Sequence, residues 1–289
     1  MALGRFADIN LARTAALSGG SWSPDWPLAN VQDGRRYVGA PARQETPGDL
    51  AASQFDAVLL AARAVNLVAV LFHTMSLAAR YRLTLASPGA TLEAPTYDSG
   101  WKDVFPAVFD QAELDYEDSN WWAGQLAAED LDLYPRHLWI SLPQTLIAEQ
   151  IRLEFDDADN AAGHFDIGGL WIARTWSPAF NFNRGRQPSA ETRDQKEESP
   201  SGREFGDERT PRRIMTVSWS RLTDDEALRQ LDAFARARTT RTVLFLPDSD
   251  NPKSLLREAY PATFQASPSP TFTYDGLNSA QAVFREIIA

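Results

Sequence analysis

The sequence predicts a mainly β fold followed by a smaller mixed α/β C-terminal domain, and three observations carry that reading. Short runs alternate apolar and polar residues with the period of two of a half-buried strand: Tyr81, Leu83 and Leu85 against Arg80, Arg82 and Thr84, then Ile151, Leu153 and Phe155 against Arg152 and Glu154. Clusters of turn formers, such as DDADNAAG at 156–163, separate such runs. One helix signature stands out near the C-terminus, where Thr223 and Glu226 have the spacing of a capping box ahead of a helix through about Arg236.

A chain of 289 residues is long enough for one large β domain or two domains with a sizeable core. Nine Trp and fifteen Phe supply large rings for packing or for a partner surface. With 39 acidic against 28 basic residues the formal charge is −11, which disfavours a polyanion such as nucleic acid as partner. The absence of cysteine excludes disulfides, thiol catalysis and cysteine metal sites. The N-terminal stretch lacks an apolar core of the secretory type, so export by that route is not expected. Residues 55–77 are interrupted by Asp56, Arg63, Asn66 and His73 and are too polar for a membrane span, so no membrane anchor is expected.

Along the chain, WSPDWPLAN at 22–30 mixes aromatic rings with turn formers and reads as a loop pinned to the domain by its rings. Residues 55–85 are densely apolar, and Val65, Val68, Val70 and Phe72 favour strands over helix. Between Trp101 and Leu133, Phe105, Phe109, Trp121 and Trp122 lie among nine Asp and Glu residues, from Asp103 to Asp132, as an acidic excursion with aromatic anchors. HLWISL at 137–142 returns to strand, and HFDIGGLWIAR at 164–174 reads as a hairpin or bent strand with Gly168 and Gly169 at the bend. Residues 183–213 are charged, rich in Pro, Gly and Ser, and predict a flexible linker or assembly arm. IMTVSWS and TRTVLFLP are strands, whereas AQAVFREII at 280–288 is a helix or a strand. The organisation is thus an N-terminal segment 1–20, which can return to the C-terminal domain, a β-rich domain 21–182, the arm 183–213 and a small α/β domain 214–289.

No catalytic constellation stands out. His73, His137 and His164 are far apart and outside any zinc-protease pattern; Ser141, Ser177 and Ser218 are not in a nucleophile elbow; no phosphate-binding glycine loop is present. The acidic excursion holds carboxylates enough for glycoside hydrolysis, but no pair is singled out. Asp156, Asp157, Asp159 and Asn160 are oxygen ligands suited to calcium, though without the order of an EF-hand, and a tight acidic turn whose Asp and Asn bond to the backbone is the preferred account of them. Trp22, Trp26, Trp121, Trp122, Trp171 and Trp176 are candidates to stack on a sugar, against the simpler role of sealing loops or an interface. Phe180 and Phe182 extend that aromatic set, and Arg174 and Arg184 can pair with acidic residues.

Five stretches, taken in order, resemble a family of tail-tip proteins from long-tailed bacteriophages: residues 12–33, 71–85, 151–185, 217–234 and 242–252. The resemblance covers about Ala12 to Asp250 and is to distal tail or baseplate proteins that carry a galactose-binding-like, discoidin-type jelly-roll sandwich. It implies a non-enzymatic structural subunit, assembled with copies of itself in a ring that joins the tail tube to the hub or fibres. The implied place is the virion tail tip or baseplate, assembled in the host bacterial cytoplasm. The alternative it leaves is a carbohydrate-binding adhesin module contacting host surface glycans, with a glycoside hydrolase third. The acidic excursion and the charged arm depart from a simple lectin and suit subunit contacts as well as a glycan groove.

Overall fold

The computed structural model describes residues 4–34, 37–132, 136–183, 185–273 and 277–288. Arg184 and Leu133 lie outside the described residues, as do the side chains of Asp130 and Asp132. In chain order the elements are β1 (Arg5–Ala7), β2 (Ala16–Ser18), β3 (Ala42–Gln44), β4 (Gln54–His73), β5 (Arg80–Ala86), β6 (Tyr97–Asp98), β7 (Lys102–Asp103), β8 (His137–Asp156) and β9 (Phe165–Ala173). There follow β10 (Gln187–Glu191), β11 (Gln195–Glu198), β12 (Glu204–Asp207), β13 (Arg212–Leu222), α1 (Asp224–Ala237), β14 (Val243–Leu246), α2 (Pro252–Glu258), β15 (Tyr260–Phe264) and β16 (Asn278–Glu286). The chain divides into two compact units: residues 9–175 with 249–257, and residues 1–8 with 176–248 and 258–288.

The larger unit is built around two twenty-residue antiparallel strands, β4 and β8. Their register breaks between Val58 and Arg63 and again between Val65 and Leu67. Unpaired residues bend a strand and re-aim its two ends. The first end of β4 therefore pairs with β2 and with the last residues of β8, which in turn pair with β5, whereas its second end pairs with the start of β8 and with β9, and β9 with β3. One hydrogen-bonded path, β3-β9-β4-β8-β5-β6, thus curls so that both ends contribute to a single core, Phe55, Leu83 and Phe155 from one and Val68, Phe165 and Ile172 from the other. The alternation read at Arg80–Leu85 holds except at Thr84, which is buried.

The glycines of β9 do not make a bend. β9 is a single strand, and a Cβ at Gly168 would meet the Tyr37 carbonyl oxygen at 2.2 Å, while one at Gly169 would meet the Tyr37 ring at 2.6 Å. Their role is close approach of the 37–39 turn to the strand, which Gly alone permits without displacement.

The smaller unit is a six-stranded antiparallel sheet ordered β1-β14-β15-β16-β13-β10, with α1 packed on β13, β15 and β16. The N-terminal strand completes this sheet through Arg5↔Leu246 to Ala7↔Leu244, whereas residues 16–18 belong to the larger unit. The expected capping box forms: the Thr223 amide donates to the Glu226 carboxylate at 3.0 Å and the Glu226 amide to the Thr223 hydroxyl at 3.3 Å. The open choice at 280–288 resolves to strand, because Ala280, Ala282 and Phe284 alternate inward. Phe245 stacks on Phe284 with centroids 4.8 Å apart, and Phe6 and Phe264 close the same aromatic core.

The segment expected to be a flexible arm is instead paired. Glu191 to Gln187 align with Arg212 to Thr216, and β11 pairs with β12 in a hairpin whose paired residues are all exposed. Backbone ladders need no apolar side chains, so a charged sequence empty of core residues can still form strands that face solvent.

Candidate functional site

The acidic excursion is fastened at three points. Val104, Phe105 and Leu126 are buried in the core of the larger unit, so the chain between them loops outward from fixed ends. Inside the loop, the amides of Val108 and Phe109 both donate to the Gly124 carbonyl, at 2.8 and 2.9 Å. Gly124 has φ +61°, and a Cβ there would meet the Phe109 carbonyl oxygen at 2.6 Å, so this closure requires glycine. Asn120 ties the turn again, its side-chain amide donating to the Gln125 carbonyl at 2.7 Å.

That scaffold presents three rings as a stepped edge. Tyr116 and Trp121 lie 5.1 Å apart at 69° and Trp121 and Trp122 4.7 Å apart at 89°, both edge-to-face. Trp122 is 77% exposed, Tyr116 73%. Beside them opens a hollow of about 560 Å³, bordered by Phe109, Asp110, Glu113, Trp122, Asn251 and Lys253. Lys253 forms an ion pair with Glu113 and lies 5.6 Å from the centre of the Phe109 ring. The Lys253 ammonium, followed by the Asp110 amide, holds the Glu113 carboxyl below the usual carboxylate range. The hollow therefore offers an apolar ring face together with an ionised carboxylate, a second carboxylate, an amide and an ammonium. That combination stacks on the apolar face of a polyhydroxylated ring and exchanges hydrogen bonds with its hydroxyls.

Of the aromatic candidates, only Trp121 and Trp122 share this site. Trp22 is a packing residue, edge-on to Phe55 and Phe165, with its indole N–H donating to the Gln54 carbonyl at 3.3 Å. Trp26 lies under the Arg43 guanidinium, and Trp171 is buried in β9. Trp176, Phe180 and Phe182 belong to the smaller unit: Trp176 exchanges backbone hydrogen bonds with Phe6 and carries Arg229 over its ring, Phe180 is exposed beside Arg221, and Phe182 packs on Phe245. Phe109, Asp110, Glu113, Asn251 and Lys253 were not singled out as a site, because Glu113 and Lys253 are brought together from 140 residues apart with no local pattern to mark them.

The acidic residues at 156–160 form the tight turn that is the preferred account of them. Asp156 pairs with Arg80; buried Asp157 accepts from the Ser76 amide at 3.2 Å and from the Asn160 side chain at 2.7 Å; Asp159 points to solvent. Carboxylates committed to an arginine and to turn amides do not converge on a cation. Among the described residues no group of three or more His, Asp or Glu is placed to hold a metal ion. His73 is buried without a hydrogen-bond partner on either ring nitrogen, and burial first, then Arg136, pushes its pKa down to about 3. Among the described residues no helix is long and apolar enough to cross a membrane.

No family model and no curated protein matches this chain. Among solved structures, similarity is found to the family 32 carbohydrate-binding module of C. perfringens NanJ in complex with galactose, at 12% identity and a TM-score of 0.37 over 57% of this chain and 98% of the module. A fucose binding module of Streptococcus pneumoniae is similar at 11% identity and a TM-score of 0.35, over 57% of this chain and 95% of that one. The lectin binding domain of lectinolysin, complexed with Lewis b, gives the same identity and TM-score over 57% of this chain and 96% of the domain.

Proposed function

We propose that the protein is a non-catalytic binding module that contacts carbohydrate through the hollow beside Trp122. The observation that carries this reading is an indole three-quarters exposed at the lip of a polar hollow, on a loop whose closure is fixed by Gly124 and by three core anchors. A large ring held in solvent by a rigid loop gains nothing for the core and supplies a preorganised stacking surface. A glycan array probed with the full chain tests it. Saturable binding to a defined set of glycans, abolished by Trp122→Ala, supports the reading; silence across the array, or binding indifferent to that substitution, overturns it.

A second reading, compatible with the first, is that the chain is a structural component of a phage tail tip or baseplate, one of several copies around the tube terminus. The β11–β12 hairpin favours it: residues 195–198 and 204–207 are exposed throughout, including Phe205, and make a projecting strand pair suited to a neighbouring subunit. Electron cryomicroscopy of intact particles, with the chain located by a tag, tests this. Density at the tube terminus in a closed ring supports it, and absence from the particle overturns it.

A further inference from the structure

The hollow beside Trp122 has a mainly apolar neighbour that shares lining residues with it. A second cavity, about 420 Å³, is lined mainly by Phe105, Leu126, Leu138, Trp139 and Leu256, with Lys102, Asp103 and Arg136 also on its border. Ala107 and Val108 line both spaces. The segment that carries α2 is divided in the same way: Asn251 and Lys253 border the polar hollow, while Pro252, Leu255 and Leu256 border the apolar cavity. A volume of this size is within the range of small-ligand sites, and its walls carry rings and branched aliphatic groups of the sort that hold alkyl or aryl groups.

The cavity is partly open to solvent and its exposed lining is mostly apolar, so an apolar group that enters it removes that surface from water. Core residues on several sides surround it. Phe105 and Leu126 are the buried anchors of the excursion, and Leu138 lies on the inward face of β8. The loop that presents Trp122 to solvent is therefore the same loop that encloses the cavity.

We propose that the ligand of this unit is an amphipathic glycoside, a sugar joined to an alkyl or aryl group, with the sugar against Trp122 and the apolar group in the cavity beyond Ala107 and Val108. The proposal rests on the carbohydrate reading of the hollow and extends it to the chemistry of the aglycone. Burial of several methylene groups in a preformed apolar space strengthens binding by about tenfold for every two of them that are well buried. A glycolipid or an acylated surface glycan has this division of chemistry; a free oligosaccharide does not.

Isothermal titration of the full chain with matched methyl and n-octyl glycosides of galactose, fucose and N-acetylglucosamine, below the micelle concentration, decides it. The expected result is an octyl compound that binds at least about tenfold more tightly than the methyl glycoside of the same sugar. Leu256→Trp, which fills the cavity, should erase that gain and leave the methyl glycoside unaffected; Trp122→Ala should weaken both. Should Leu256→Trp fail to fold by near-ultraviolet circular dichroism, Leu255→Phe serves the same purpose. Equal affinity for methyl and octyl glycosides overturns the proposal and leaves the carbohydrate reading standing. Octyl compounds that bind alike whatever their head group, and indifferently to Trp122→Ala, overturn both, since the cavity would then be a simple apolar site.

Discussion

Strand β9 and the acidic excursion both carry bulky aromatics in the larger unit, yet they use them in opposite ways. In β9, Phe165 and Trp171 are buried and the strand is so tightly covered that two consecutive positions accept no side chain at all. In the excursion, Tyr116 and Trp122 stand in solvent while Val104, Phe105 and Leu126, at its two ends, do the anchoring. The difference teaches where stability and recognition reside: the strand is fixed by close packing, and the loop borrows that fixity through two or three anchors to hold rings it does not bury. Substitutions in the two regions should therefore separate into those that cost folding and those that cost binding.

The largest effect is expected at Gly168. An added Cβ would lie 2.2 Å from the Tyr37 carbonyl oxygen and 2.9 Å from the Cβ of Phe72, and neither can yield without moving backbone. Gly168→Ala should destabilise the protein by about 3 kcal/mol. Urea denaturation measures it, and a loss under about 1 kcal/mol would show that the 37–39 turn is free to move away.

A smaller effect, in the same packed region, comes from acid. His73 ends β4 with its ring against Phe105 and its pKa pushed down to about 3, far below the value it regains on unfolding. A base with a depressed folded pKa leaves the unfolded chain holding more protons between the two values, so stability is complete above about pH 6.5 and falls as pH drops toward 3. At pH 5 the loss attributable to His73 is about 2 kcal/mol. Stability measured from pH 7 to pH 4 should decline steeply in the wild type and less steeply in His73→Phe; parallel declines would assign the acid sensitivity to other groups.

Much of this architecture was legible in the sequence. The period of two at Tyr81–Leu85 and Ile151–Phe155 gave strands, the Thr223–Glu226 spacing gave the helix cap, and both are local signals that tertiary context leaves unchanged. Three features were not legible, each for a physical reason. Gly168 and Gly169 resemble a bend locally, and only the arrival of Tyr37 from 130 residues away makes them a contact surface. The charged run after Asn183 is nearly empty of apolar residues, and a solvent-facing ladder leaves no mark on composition. The candidate site is half legible: Trp121 and Trp122 announce themselves as rings amid acid, whereas Asn251 and Lys253 reach the hollow only because residues 249–257 return to the larger unit.

The smallest stability effect, and the sharpest contrast with Gly168, belongs to Trp122. The residue is 77% exposed and its ring packs edge-on to Trp121, so truncation removes little buried surface. Trp122→Ala should change unfolding free energy by under about 0.5 kcal/mol, as for exposed positions outside special geometry. If the loop is held by Val104, Phe105, Leu126 and the Gly124 closure, the remaining hollow keeps its shape and only the stacking face is lost. A melting temperature within about 1 °C of wild type, together with lost glycan binding, would place recognition on the ring itself. A marked fall in stability would instead make Trp122 part of the loop's own support, and the division between packed strand and presenting loop would no longer hold.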